Sequence, residues 1–290
     1  MKQHYVTPQT DLQLLFDQLD PNFFHTIYLS KGTYRQKLKL SSSNVTLIGE
    51  DVDNTIIVYD DYSYKLHSDG LLHNTFRTST FTITGSNNVL KHLTIVNDAG
   101  HGPRIGQAIA LSIYGNHNSV LNCKILGNQD TLFIGPLPED LSIRYAHILP
   151  LDERLTSSTK TTISNSTITG NVDFIFGSGN CLFKECTLIF NNDGYLAAPS
   201  TYENGIGFVF YHCIIKSLDP HFNIVLARPW REFGKTTFIH TNFIDLNIKD
   251  RYHTWDKSHF EFREFPYIND QLNKPLDDLF KQRITDLFFR

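Results

Sequence analysis

Apolar and polar positions along this chain recur as a six-residue unit rather than alternating uniformly. Aligned on its last apolar residue, the unit reads LKHLTI (90–95), VLNCKI (120–125), ISNSTI (163–168), FKECTL (183–188), FYHCII (210–215) and IHTNFI (239–244). Its first and last residues are apolar throughout. Its fourth position runs Leu93, Cys123, Ser166, Cys186, Cys213 and Asn242, a column of mostly small side chains suited to an interior. Apolar stretches at 26–29 and 45–48 extend the series loosely toward the N-terminus. Successive units lie 30, 43, 20, 27 and 29 residues apart. That irregularity is expected when each coil keeps its strand while its loops vary in length. The pattern predicts an all-β chain, a right-handed parallel β-helix whose coils stack about 4.8 Å apart. A β-sandwich with chance similarity among its strands is the competing architecture.

Two segments carry helical rather than coil periodicity. DLQLLFDQL (11–19) predicts a short helix capping one end of the stack, and LDDLFKQRITDLFF (276–289) predicts a second. Both are expected to pack rather than to bind partners. The longest candidate loop is 134–160, rich in Pro, Asp and Glu. Residues 1–290 read as one domain, a length compatible with a single repeat fold.

Composition narrows the function classes. The chain is 13% aromatic and 19% charged with a net charge of −4, which gives no electrostatic footprint for nucleic acid or an anionic membrane. A polyanionic ligand would need local basic groups. Pro8, Asp11 and Asp17 interrupt the N-terminal region where a signal peptide needs an apolar run, so the expectation is a cytoplasmic protein, or a secreted one if a leader has been removed. Its four cysteines, without CxxC spacing, are then expected to be reduced and to fill the inward column. A monomer without cofactor or metal is expected.

The repeat also makes a geometric statement about chemistry. Asp130 follows Cys123 by seven residues and Asp173 follows Ser166 by seven, which places two carboxylates on one face about one coil apart. Their neighbourhoods, GNQDTLF (127–133) and GNVDFIFG (170–177), both open with Gly-Asn. Two carboxylates that close cannot ionise independently, so one becomes an acid and the other a base or nucleophile. Asp193 follows Cys186 by the same seven residues, however, and offset alone does not choose two of the three. Aspartates at coil edges are also common turn residues.

The chain resembles the pectin methylesterases from about residue 12 to about residue 265. The resemblance is carried by KGTY (31–34), VTLIGE (45–50), LTIVNDAG (93–100), QAIAL (107–111), QDTLF (129–133), DFIFG (173–177), GYLAAPST (194–201) and LARPW (226–230), and chiefly by QAIAL, QDTLF, DFIFG and LARPW in that order. It implies a parallel β-helix and hydrolysis of methyl esters in pectin or methylated oligogalacturonides. By resemblance, Asp173 attacks the ester carbonyl, and Asp130 protonates the departing methoxide and then activates water. Gln107 and Gln129 match oxyanion-stabilising glutamines. Arg228 matches the arginine holding the nucleophile, and its charge should depress the Asp173 pKa. Trp230, Phe133 and Phe176 match aromatic positions of the sugar groove, although core packing competes with that role, most of all for Phe176. RYHTW (251–255) stands where GWxxW is usual, which makes Tyr252 and Trp255 substrate-contact candidates. Ala227 stands for the usual Gly and Gln36 for the usual Glu, and 156–169 lacks the aromatics common before DFIFG.

Other chemistries find less support. A polygalacturonase-type glycoside hydrolase would share the fold and use close carboxylates, and GHG occurs at 100–102, but the NTD and RIK motifs of that family are missing. No GxSxG elbow supports a serine esterase, and thirteen scattered histidines without HExxH do not suggest a metal site. A catalytically silent carbohydrate-binding β-helix remains the last alternative, against which stand both aspartates, both glutamines and the arginine.

Overall fold

A computed structural model describes residues 1–289. Among them, three parallel sheets of eleven, seven and eight strands wind around a single interior that runs from Val6 to Phe262. Sheet order follows chain order, and away from the two ends of the eleven-stranded sheet every third strand joins the same sheet, which is the parallel β-helix that the six-residue unit predicts. No helix among the described residues is long and apolar enough to cross a membrane.

Register explains the unit. Its first residue lies in the eleven-stranded sheet, where Leu90, Val120, Ile163, Phe183, Phe210 and Phe238 stack in one line. All six are buried. Its last residue lies in the eight-stranded sheet, where Ile95, Ile125, Ile168, Leu188 and Ile215 stack in another. The Phe183–Phe210 and Phe210–Phe238 rings stack 4.7 and 4.9 Å apart, the spacing of neighbouring strands. Between the two strands the third residue turns the corner in the left-handed region: His92, Asn122, Asn165, Glu185 and His212 have φ of 49–55°. The fourth position then points inward, and Leu93, Cys123, Ser166, Cys186 and Cys213 are all buried. All four cysteines are free thiols.

The last coil departs from the predicted alignment by one residue. Ile215 pairs with Phe243 rather than Ile244, Phe210 pairs with Phe238, and the left-handed corner is His240. The true unit is therefore FIHTNF (238–243), with Thr241 rather than Asn242 in the fourth column. Both framings begin and end on apolar residues, so polarity alone could not separate them. The corner conformation does, because Asn and His tolerate the left-handed region at low cost while bulky apolar residues do not. The stretches at 26–29 and 45–48 are the two preceding coils, with Ile27 on Leu47 and Leu47 on Leu90.

Helix α1 (Leu12–Asp17) begins at Asp11, whose side chain accepts from the Leu14 N–H, and buries Leu12 and Phe16 over the end of the interior. Gln36 fixes its start by accepting from the Leu12 N–H at 2.9 Å and donating to the Thr10 carbonyl. Helix α2 (Glu139–Arg144) lies in the segment expected to be loop. Helix α3 (Asp278–Phe288) is capped by Asp277 and lays Phe280 and Ile284 on Leu182, Val209 and Ile239, outside the eleven-stranded sheet.

Tyr252 does not reach a groove. It is 4% exposed, stacks on Phe262 at 4.7 Å, and donates its hydroxyl to Glu264 at 2.6 Å. Glu264 pairs in register with Phe238, so its carboxylate enters the apolar line. Arg251 grips it there through Nε at 2.5 Å and Nη2 at 2.7 Å, a bidentate pair. Breaking a buried pair leaves an uncompensated charge. Glu264→Ala should therefore cost about 3–5 kcal/mol in a denaturant melt, and Tyr252→Phe about 1–3 kcal/mol with unchanged substrate affinity. A Tyr252→Phe variant of normal stability and weakened substrate affinity would return Tyr252 to the groove.

Candidate active site

The site begins as a continuation of the sheet ladder. Strands Leu132–Ile134 and Ile175–Gly177 pair with Leu132 on Ile175. Two residues earlier, the Asp130 N–H donates to the Val172 carbonyl at 3.0 Å, and the Leu132 N–H donates to the Phe174 carbonyl at 2.9 Å. This pattern sets Asp130 directly against Asp173, one coil or roughly 4.8 Å apart. Both adopt left-handed backbone, φ 61° and 50°, and both are 8% exposed. Strain of this kind persists only where surrounding structure over-determines it.

Register also settles the third aspartate. On the following coil Ala197 pairs with Ile175, so counting back two residues brings Tyr195, not Asp193, beside Asp173. The corner before that strand holds two residues more than the corner before Ile175, because Thr187 pairs with Thr167 but Ala197 with Ile175. Asp193 is exposed and accepts from the Asn223 N–H at 2.6 Å, a turn residue.

Arg228 follows strand Ile224–Ala227, and its N–H is held by the Ala197 carbonyl. Its Nε donates to Asp173 Oδ1 at 2.8 Å and its Nη2 to Oδ2 at 2.6 Å, a bidentate pair. Gln107 and Gln129 stand on consecutive coils one residue before the aspartate level, since the Ala108 N–H donates to the Gln129 carbonyl at 3.1 Å. Both are half-buried. Their side-chain amides have no hydrogen-bond partner among the described residues, so the donors are available to a ligand. The Gln107 carbonyl accepts from the Ser63 N–H, which anchors that strand to the 60–78 excursion.

Electrostatics separates the two carboxyls. Burial pushes the Asp130 pKa far up, the Asp173 charge adds to the rise, and the more distant Arg228 opposes it. For Asp173 burial is again the largest influence, and it outweighs the Arg228 hydrogen bonds and charge, leaving the pKa above the ordinary carboxylate value. The expectation that the guanidinium would set Asp173 below that value is corrected by its burial. The ordering of the pair nevertheless follows from bonding. Both Asp173 oxygens accept from guanidinium N–H groups, whereas no described side chain donates to Asp130. Asp130 therefore holds the proton and Asp173 the charge.

The aromatic expectations divide. Phe133 and Phe176 project outward from the seven-stranded sheet, but they are 0% and 2% exposed beneath Phe76, Tyr114, Leu137 and Leu149. The groove role for both is corrected: their rings, 5.1 Å apart, form the packed floor. Trp230 is half-buried above that floor, edge-on to Phe176 at 5.7 Å, with Arg231 over its ring at 4.8 Å. Arg231 is in turn held by Asp140 at the start of α2. Trp255 is half-buried with its ring centroid 4.0 Å from the Arg228 guanidinium carbon, and the Tyr195 ring lies 3.7 Å from the same carbon. Tyr195 was not among the residues singled out from the chain, and only the coil register, two residues before Ala197, would have exposed it.

Fold and site together define a parallel β-helix protein with a paired-carboxyl centre held by an arginine. A family model described as Pectinesterase matches residues 14–136 and 151–284, and the chain belongs to the pectinesterase family. A pectinesterase of Petunia integrifolia is 30% identical over 89% of this chain and 65% of its own length. Pectinesterase A of Emericella nidulans is 28% identical over 76% of this chain and 62% of its own. The chain thus spans about two thirds of these relatives. Among solved structures, pectin methylesterase PemA from Erwinia chrysanthemi superposes with TM-score 0.75 at 22% identity over 97% of this chain and 94% of that one. The carrot pectin methylesterase superposes with TM-score 0.76 at 19% identity over 96% and 89%. At that identity the superpositions establish the fold.

Removing the guanidinium takes away the main influence holding the Asp173 pKa down. NMR titration of the Asp173 carboxyl in Arg228→Ala should show it rising further above the ordinary value. An unchanged or lowered titration point would mean that Arg228 does not control the ionisation of Asp173.

Proposed function

We propose that this chain hydrolyses methyl esters of polygalacturonate, releasing methanol and leaving free carboxylates. One arrangement carries the reading: two stacked, buried carboxyls, one gripped through both oxygens by Arg228 and the other with its pKa pushed up by burial, beside two amides that have no partner among the described residues. The Asp173 carboxylate attacks the ester carbonyl, and the Gln107 and Gln129 amides donate to the oxyanion that develops. Asp130 gives its proton to the departing methoxide, which leaves as methanol. The resulting Asp130 carboxylate takes a proton from water, the hydroxide attacks the acyl group, and Asp173 is released as a carboxylate. Trp230, half-buried at the edge of the aromatic floor, offers the ring for the sugar. Pectin or methylated oligogalacturonides are the ligands this chemistry suits, as with the related pectin methylesterase solved in complex with a hexasaccharide.

A retaining glycoside hydrolase also uses carboxyls about 5 Å apart, so separation alone does not choose between the two reactions. The paired glutamine amides favour acyl transfer, because an oxocarbenium-like transition state develops positive charge and gains nothing from N–H donors. New reducing ends without methanol would decide for the glycosidase.

Methanol release from methylated oligogalacturonides is the assay. Asp173→Ala should abolish it, as expected when the nucleophile of an interdependent set is lost. Asp130→Asn should lower kcat by about 10²–10⁴-fold, the usual contribution of general acid–base transfer. Asp193→Asn should match wild type. The pH profile should be bell-shaped, with activity lost at low pH as Asp173 is protonated and at high pH as Asp130 loses its proton. An inactive Asp193→Asn beside a normal Asp130→Asn would overturn the assignment.

A further inference from the structure

Two aromatic rings contact the Arg228 guanidinium. Tyr195 and Trp255 lie with ring centroids 3.7 and 4.0 Å from its Cζ. The two rings come from separate parts of the chain, and each is tied independently to the strand that carries Arg228. Tyr195 pairs with Val225 in the adjoining strand. The segment bearing Trp255 is docked by a bridge between Tyr252 and Ala227 and by the His253 N–H, which donates to the Ala227 carbonyl at 3.1 Å. Within it the Trp255 N–H donates to His253 Nδ1, Lys257 Nζ donates to the Trp255 carbonyl, and both Trp255 and Asp256 take left-handed backbone. A conformation fixed at this many points is not that of a free groove residue.

We propose that Tyr195 and Trp255 are positioning residues, an aromatic clamp that holds the Arg228 guanidinium in the plane needed to grip both oxygens of Asp173. The physical reason lies in what a guanidinium requires around it. Half-buried beside a carboxylate, the cation has lost part of its water. A carboxylate or amide placed there would compete with Asp173 for the N–H donors. Aromatic faces stabilise the cation through their quadrupole and dispersion while offering no acceptor that would divert it. The charged and titratable groups around Arg228 are Asp173, Asp130 on the coil before it, Tyr195 itself, and His253, whose ring lies 6.4 Å from that of Tyr195. Among the described residues, only Asp173 takes hydrogen bonds from the guanidinium.

The clamp deepens the esterase reading and rests on it for its kinetic consequence, so the test has an arm that does not need turnover. Tyr195→Leu and Trp255→Leu should each raise the Asp173 titration point in NMR, and Tyr195→Phe and Trp255→Phe should restore it. In methanol release, each leucine variant should lower kcat roughly 3- to 30-fold, the range of a desolvated cation–π contact, and move the acidic limb upward with little change in KM. Trp255→Leu added to Arg228→Ala should shift the limb no further, because the clamp acts only through the arginine. A raised KM with an unmoved limb would make Trp255 a sugar platform instead. A lowered melting temperature with an unmoved titration point would reduce both rings to packing. Either result overturns the clamp. Absence of ester hydrolysis in the wild type would sink the esterase reading, while the NMR arm would still decide the clamp.

Discussion

Parallel pairing in register fixes the separation of equivalent side chains on neighbouring coils at about 4.8 Å, and every feature of the site derives from that constraint. It sets Asp130 against Asp173 and Gln107 against Gln129. It also delivers Arg228 from two coils farther along, after an intervening strand whose Tyr195 ring contacts the guanidinium. No loop has to fold into a particular shape to bring the carboxyls together. The stacked aromatic line of Phe183, Phe210 and Phe238 inside the helix maintains the same spacing that the carboxyls need outside it.

Within that frame, burial rather than charge pairing sets the direction of both acidic groups. Asp130 and Asp173 are both displaced upward by loss of water. Arg228 does not reverse the displacement for Asp173; it makes the displacement smaller there than for Asp130, to which no described side chain donates. The difference between the two groups, not the position of either alone, assigns one as acid and the other as nucleophile. Glu264 shows the corresponding need for partners inside the apolar line, where Arg251 and Tyr252 satisfy both of its oxygens.

Much of this was legible in the chain, and the failures share one cause. The six-residue unit with apolar ends identifies five coils in register, and the seven-residue offset finds the carboxyl pair. The same polarity signal could not see a one-residue shift in the last coil, where Ile239 and Ile244 mimic the pattern that Phe238 and Phe243 form. Nor could it see the two-residue corner insertion that removes Asp193 and installs Tyr195. The resemblance puts Phe133, Phe176 and Tyr252 in the groove by motif position, and a motif position does not report what covers a side chain. The 134–160 segment folds over the outward face of the seven-stranded sheet with Leu137, Leu141 and Leu149 buried, and that tertiary contact has no local signature. Trp255 was placed near substrate from its position in a motif, and the structure places it on Arg228.

The central claim is that the two stacked carboxyls are chemically unequal before any ligand arrives. Site-resolved carboxyl titration of Asp130 and Asp173 in the wild-type protein measures this directly. Asp173 should lose its proton first, and Asp130 should remain protonated after Asp173 is charged, well above the ordinary carboxylate range. Ionisation of Asp130 first, or of both groups together near the ordinary value, would contradict the account.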